Sequence, residues 1–567
     1  MATKETTRIR IISGCTLIIA LTIVTRLFFV QLVHGDEYEE KGSQQYVRSS
    51  SDSFNRGSIF FTAKDGTPIA AAALAYGSIL ALHPAQLKDV EGSYRSLVNI
   101  LPTLDRATFI ARANKKDDPY EEIATKVSDA DALRIEALKL SGVGLFREKW
   151  RVYPSDGLAA QTIGLVGYQG DERAGRYGLE KQYEGILGRS ENSTQINFFA
   201  EIFTELGNRL TKNKEREGDI YLTIEPVVQG EVEKELMAVK EKYGADLAGA
   251  VVMDTRTGAV RAFASLPSFN PNAEQKELTS LGNPLVERVY EFGSIVKPLT
   301  LAAGLDAGVI RPESTYNDRG TITLNSKKIS NYDGKARGTV PMQEVLNQSL
   351  NTGAVHVMQL LGKDRFRAYF RNFGFGEKTG IDVPGELAGL TDNLESTREV
   401  EYATAAFGQG IAVTPIAMTR ALASLGNGGL ILRPYLVDEI RFKTLERDQT
   451  ESTLVRRVIS ERTSEDVTRM LVTVFDKALA GGKFKMDRYS IAAKTGTAQM
   501  SNPAGGYYDD RYLHSFFGYF PAYDPHYIVF LYIVYPKQVQ YASETLSEPF
   551  ANMAKFLINY YHIPPDR

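Results

Sequence analysis

The stretch "LAGAVVMDTRTGAVRAFAS", Leu247–Ser265, holds two apolar runs joined by the polar turn "DTRTG" with Gly258. Apolar runs of strand length around a glycine-containing turn predict a β-hairpin. A second pair of this kind lies near the other end of the chain. "SFFGYFPAYDPHYIVFLYIVYP", Ser515–Pro536, reads as two strands around a Pro/Asp turn. A strand and a long helix, "VVQGEVEKELMAVKEKYG" (Val227–Gly244), precede the hairpin, and a helical "EPFANMAKFLINYYH" (Glu548–His562) closes the chain. Strands at both ends with helices between predict an α+β domain. Its sheet is covered by the first and last helices, and a helical insert holds most of residues 285–480.

Upstream of the charged linker "NKEREG" (Asn213–Gly218), residues 34–218 read as a separate, elongated α+β domain. "RGSIFFTAKDGTPIAAA" (Arg56–Ala73) predicts strand–turn–strand, and residues 105–141 read as helical with Ser128 as an N-cap. No nucleophile–base pair or metal-ligand cluster stands out here, so this region reads as a spacer or docking module.

The amino end carries "IISGCTLIIALTIVT" and "LFFVQLV", separated only by Arg26. Residues 11–33 are long enough to cross a hydrocarbon core of about 30 Å as one helix. Lys4, Arg8 and Arg10 precede the segment and Asp36, Glu37, Glu39 and Glu40 follow it. The positive-inside rule then leaves residues 1–10 in the cytoplasm and the bulk of the chain outside. No small-residue cleavage site follows, so an uncleaved anchor is expected rather than a signal peptide. Cys15 opens the apolar run instead of closing it, which argues against a lipoprotein processing box, and as the single cysteine it excludes an intrachain disulfide.

The 567 residues carry a formal net charge of −3, with no basic excess or motif for a nucleic acid. Six histidines in no metal-binding spacing give no reason to expect a metal.

Chemistry concentrates in three short stretches. "YEFGSIVKPLT" (Tyr290–Thr300) places Ser294 and Lys297 three apart, so on a helix they share one face. A helix starting at Ser294 would set its hydroxyl at the positive end of the dipole, and a buried Lys297 could lose its proton and act as a base. This is the only S-x-x-K in the chain, yet the pattern alone is weak evidence. "QSLNTGAV" follows, with Ser349 and Asn351 two apart on a loop, one hydroxyl for a proton relay and one amide for substrate. "SIAAKTGTAQ" supplies Lys494, a cation for a carboxylate, with Thr495 and Thr497 on one face of a strand. Gly496 between them lets another backbone come close. A second K-T-G, Lys378–Gly380, lies among turn-forming Gly374, Gly376 and Pro384 and is set aside.

The ordered set S-x-x-K, S-x-N and K-T-G resembles the serine penicillin-recognising enzymes. "EFGSIVKP", "GQG" followed by "VTP" (Gly408–Pro415) and "FFGYFP" are similar to the family's longer motifs. "RGSIFFTAKDGTPIA" and "RVYPSDGLAAQTIGLVG…GRYGLEKQYEGILG" resemble the pedestal of class B penicillin-binding proteins. The resemblance implies a penicillin-binding, serine-β-lactamase-like transpeptidase domain over 219–567. Ser294 would be acylated by a peptidoglycan stem peptide ending in D-Ala-D-Ala, with Lys297 as base, Ser349 as relay and Asn351 holding the peptide. Lys494, Thr495 and Thr497 would bind the carboxylate, the N–H groups of Ser294 and Thr497 would form an oxyanion hole, and β-lactams would trap the acyl-enzyme. No cofactor is implied. Partners would be a membrane glycan polymerase and other division proteins, since the division type is resembled most. The alternatives are the rod-elongation type, a D,D-carboxypeptidase, or a non-catalytic scaffold or sensor. Phe292 stands where the family usually has proline, and is expected to loosen the turn into the helix.

Overall fold

In the computed structural model the residues described are 54–169, 172–190, 217–275 and 281–567, with a few positions between 19 and 26. The expected anchor, 11–33, lies largely outside the described residues. Among the described residues no helix is long and apolar enough to cross a membrane.

Two compact units form, and neither is contiguous. The larger joins Arg56–Ala73 and Val152–Gly188 to residues 201–567; the smaller holds Leu74–Arg151.

The larger unit is built on a five-stranded antiparallel sheet. Helix α1 (Pro226–Tyr243) leads into β1 (Leu247–Asp254) and β2 (Val260–Leu266). Near the carboxyl end follow β3 (Ala492–Ser501), β4 (Tyr507–Phe520), β5 (Tyr527–Val534) and helix α4 (Ala542–Tyr561). Between them lie α2 (Lys297–Asp306) and α3 (Asn351–Leu361) of the helical insert. The strand order is β2-β1-β5-β4-β3, so β1 pairs with both the adjacent β2 and the distant β5, with Leu247 opposite Val534.

Strand alternation sorts the side chains onto two cores. Ala248, Ala250 and Val252 of β1 and Val529, Leu531 and Ile533 of β5 join Val232, Leu236, Phe550 and Leu557 of helices α1 and α4. Val251, Met253, Phe530 and Tyr532 face the other way and pack with Leu299, Leu301 and Val355 of the insert. Both faces are buried, which is why these strands read as continuous apolar runs. The insert is mainly helical but also contains small antiparallel pairs, including Thr315–Asp318 with Gly338–Pro341 and Thr321–Leu324 with Lys327–Ser330. A second sheet in this unit pairs Gly218–Leu222 in parallel with Ile59–Thr62 and antiparallel with Val437–Phe442.

In the smaller unit Val90–Val98, Arg106–Ala113 and Asp129–Ala137 are helices, capped by Asp89, Asp105 and Ser128. The helical reading of 105–141 is corrected: Glu121–Val127 is a strand that pairs with residues 78–82. Its ends, Glu121 and Val127, are buried against that partner, and the long-range pairing overrides the local spacing of apolar residues.

Candidate active site

Ser294 sits where a loop becomes a helix, by way of a 3-10 turn. Gly293–Val296 is 3-10, and the α-helix begins only at Lys297. The turn is set by backbone packing. Gly293 adopts φ +63°, and a Cβ there would lie 2.6 Å from the Thr497 carbonyl oxygen. Gly408 packs from the other side, where a Cβ would meet the Gly293 oxygen at 2.2 Å. Gly293 N–H donates to the Gly408 carbonyl at 3.2 Å, tying the "GQG" stretch to the serine.

Phe292 does not loosen this turn. It is 1% exposed and stands edge-on to Phe530 at 5.2 Å and to Tyr532 at 5.9 Å. Its carbonyl accepts from Ser515 Oγ at 2.9 Å. Aromatic packing on β5 supplies the rigidity that a proline ring would otherwise impose.

Lys297 is fully buried, and its Nζ lies 3.0 Å from Ser294 Oγ, 3.1 Å from Ser349 Oγ and 2.6 Å from the Ser349 carbonyl oxygen. Lys494, also buried, points its Nζ at Ser349 Oγ (3.3 Å) and at its neighbour's carbonyl, Thr495 O (3.1 Å). Neither lysine has a carboxylate partner among the described residues. Burial, and then the Lys494 charge, hold the Lys297 ammonium well below its ordinary range. Burial pushes Lys494 down to about 8. A neutral amine beside a serine hydroxyl can take that proton, which is what a serine needs to become a nucleophile.

Ser349 occupies a turn with φ +53°, and Asn351 is not on a loop but opens helix α3. The Asn351 amide donates to the Ser330 carbonyl at 2.8 Å. Thr495 and Thr497 are half-buried on β3, the edge strand of the sheet. Gly496 faces the Phe292 carbonyl, where a Cβ would lie at 2.4 Å. A cleft of about 1100 Å³ is lined by Ser294, Ser349, Asn351, Lys494, Thr495 and Thr497. Lys378–Gly380 does not reach the cleft; it forms a turn in which Thr379 and Gly380 donate to the Glu386 carboxylate.

Other cleft residues went unread in the sequence: Gln409, Tyr332, Tyr541 and Tyr507. Tyr507 OH donates to Glu291 at 2.9 Å, and Tyr332 and Tyr541 meet edge-on at 6.1 Å. Only the "GQG" motif could have pointed to Gln409. The tyrosines sit in stretches with no spacing signal.

The family models match here. The penicillin binding protein transpeptidase domain covers residues 248–554, and the penicillin-binding protein dimerisation domain covers 52–220. The chain therefore belongs to the penicillin-binding protein transpeptidase family. Among its relatives, peptidoglycan D,D-transpeptidase FtsI of Escherichia coli K12 is 27% identical over 569 residues, 99% of this chain and 92% of the relative. Stage V sporulation protein D of Bacillus subtilis is 29% identical over 548 residues, 94% of this chain and 82% of the relative. Penicillin binding protein 3 of Mycobacterium tuberculosis, solved with aztreonam, shares the fold with a TM-score of 0.69 at 23% identity, covering 91% of this chain and 98% of that one. Penicillin binding protein 2X of Streptococcus thermophilus gives 0.74 at 19% identity, covering 90% and 81%.

Proposed function

We propose that the protein is a peptidoglycan D,D-transpeptidase that cross-links stem peptides in the wall made at division. The observation that carries the chemistry is the position of Lys297 Nζ, buried, without a counter-ion among the described residues, and within hydrogen-bonding distance of both Ser294 Oγ and Ser349 Oγ.

Ser294 Oγ forms an ester with the penultimate D-Ala carbonyl as Lys297 takes its proton. The C–N bond to the terminal D-Ala breaks, and a proton passes through Ser349 to the leaving amine. The amine of a second stem peptide then attacks the ester, an amide forms, and Ser294 regains its proton. Lys494, Thr495 and Thr497 hold the donor's carboxylate, Gly496 keeps the strand against the serine turn, and Asn351 holds the peptide backbone. The amide N–H groups of Ser294 and Thr497 receive the developing oxyanion. In support, both residues line one cleft and Gly293 packs on the Thr497 carbonyl. A β-lactam opens on Ser294 in the same way and stays attached.

The remaining expectations belong to the same proposal. Residues 11–33 anchor the chain in the cytoplasmic membrane, with 1–10 inside. Residues 34–218 act as the pedestal and 219–567 as the transpeptidase domain. A membrane glycan polymerase and other division proteins work beside it. The E. coli FtsI relative, aligned over almost the whole of this chain, supports the division role.

The test is labelling of the full chain with a fluorescent penicillin. The wild type is expected to label and Ser294→Ala to stay dark. Equal labelling of both would remove Ser294 from the reaction. A wild type that labels yet forms no cross-linked dimer from lipid-linked disaccharide pentapeptide, with a glycan polymerase present, would make it a hydrolase or a scaffold.

A further inference from the structure

We propose that Asp318, outside the reacting set, is the positioning residue that holds the Ser349–Asn351 turn in its working conformation. The inference rests on the transpeptidase reading above.

The turn needs holding. Ser349 has φ +53°, a left-handed conformation that a non-glycine residue keeps only where its surroundings over-determine it. The surroundings in question come from one part of the insert, residues 315–341, and converge on one carboxylate. Asp318 is 1% exposed and accepts four donors. These are Gly320 N–H (2.9 Å), Arg337 N–H (3.0 Å), Asn331 Nδ2 (3.0 Å) and Thr352 Oγ1 (2.7 Å).

Three of these donors lead back to the turn. Thr352 follows Asn351 directly, and its backbone N–H also donates to Asn331 Oδ1 at 3.3 Å. Asn331 follows Ser330, whose carbonyl takes the Asn351 amide. Arg337, fixed to Asp318 through its backbone, uses its side chain to donate to Gln348 Oε1 at 2.9 Å. Gln348, Asn351 and Thr352 are thus all tied, and Ser349 lies between them. Lys297 then reads the result, since it contacts both the carbonyl and the hydroxyl of Ser349. Asp318 has the acceptor capacity for all four donors only as a carboxylate; an amide in its place would set an N–H against at least one of them.

The experiment measures, on the full-length protein in detergent, the second-order rate of acylation by fluorescent penicillin and the fraction finally labelled. Asp318→Asn is expected to label fully but about ten- to a hundred-fold more slowly, as a small misplacement of a reacting group does. Thr352→Val, which removes one donor and keeps the shape, is expected to slow labelling roughly three- to ten-fold by the same argument. In a Ser349→Ala background, Asp318→Asn should have a smaller further effect, because one of the groups that the turn presents, the Ser349 hydroxyl, is gone while Asn351 and the residue-349 carbonyl remain. A wild-type rate in Asp318→Asn would overturn the inference. So would an unchanged rate in a reduced labelled fraction, which marks a merely structural role, or an additive loss in the Ser349→Ala background. Should Asp318→Asn fail to fold, Thr352→Val decides on the same readouts. A wild type that does not label would instead remove the transpeptidase reading beneath.

Discussion

At the scale of single residues, Lys297 is the decisive group. Burial first, and the Lys494 charge second, hold its pKa well below the ordinary lysine range, which favours the free amine. Only the neutral form accepts the serine proton, so acylation should rise as pH rises through that pKa and level off well below the ordinary lysine range. Removing the like charge in Lys494→Gln should raise the Lys297 pKa and move the rising limb to higher pH. The inflection of the pH–rate profile reports this apart from the weaker carboxylate binding. An unmoved inflection would mean that Lys494 does not act on Lys297. Lys297→Met should slow acylation on the order of 10²- to 10⁴-fold. The spacing of Ser294 and Lys297 was legible because a helix face is a local property. The strained Ser349 was not, because nothing in "QSLN" signals a positive φ that distant Asp318 and Arg337 maintain.

At the scale of elements, β3 and β4 set the serine turn against the sheet, and two positions test this. Gly293→Ala meets the Thr497 carbonyl and a left-handed backbone together, and should abolish acylation and lower the thermal midpoint. His514, opposite Thr497 in the register, is fully buried between Thr545 Oγ1 (2.9 Å) and the Gln540 carbonyl (3.0 Å). Burial pushes it down to about 4. Its folded pKa lies below the unfolded value of about 6.5, so the unfolded chain binds the extra proton between these limits. Stability should fall with pH across that window, by at most about 1.4 kcal/mol per unit. In His514→Gln the urea midpoint should fall less steeply from pH 6.5 to 4.5. The strands of this sheet were legible as apolar runs because both faces are covered. Glu121–Val127 was not, since its order depends on a partner strand some forty residues earlier.

At the scale of the whole molecule, the larger unit threads together distant stretches of chain. Arg56 is 2% exposed and donates through Nε to Glu180 at 2.5 Å and through Nη2 to Glu184 at 2.8 Å. It joins the segments 56–73 and 152–188. Arg56→Ala should cost about 3–5 kcal/mol, because the fully buried Glu180 carboxylate loses this cation, and the urea midpoint would show it. The discontinuity was hidden in the sequence because composition changes along the chain, whereas compactness depends on which strands meet. The pairing of Leu247 with Val534 has a consequence in time. The hairpin β1–β2 can close early in synthesis, but the outer edge of β1 stays bare until β5 has been made. At about 5–20 residues per second that wait is on the order of tens of seconds. During it the chain presents the run "AGAVVM", Ala248–Met253, with unsatisfied amides, to any other strand it meets. A chain ending before Tyr527 should therefore collect as aggregate that detergent does not dissolve, and the full chain's yield should depend on how well that edge is guarded while the ribosome finishes.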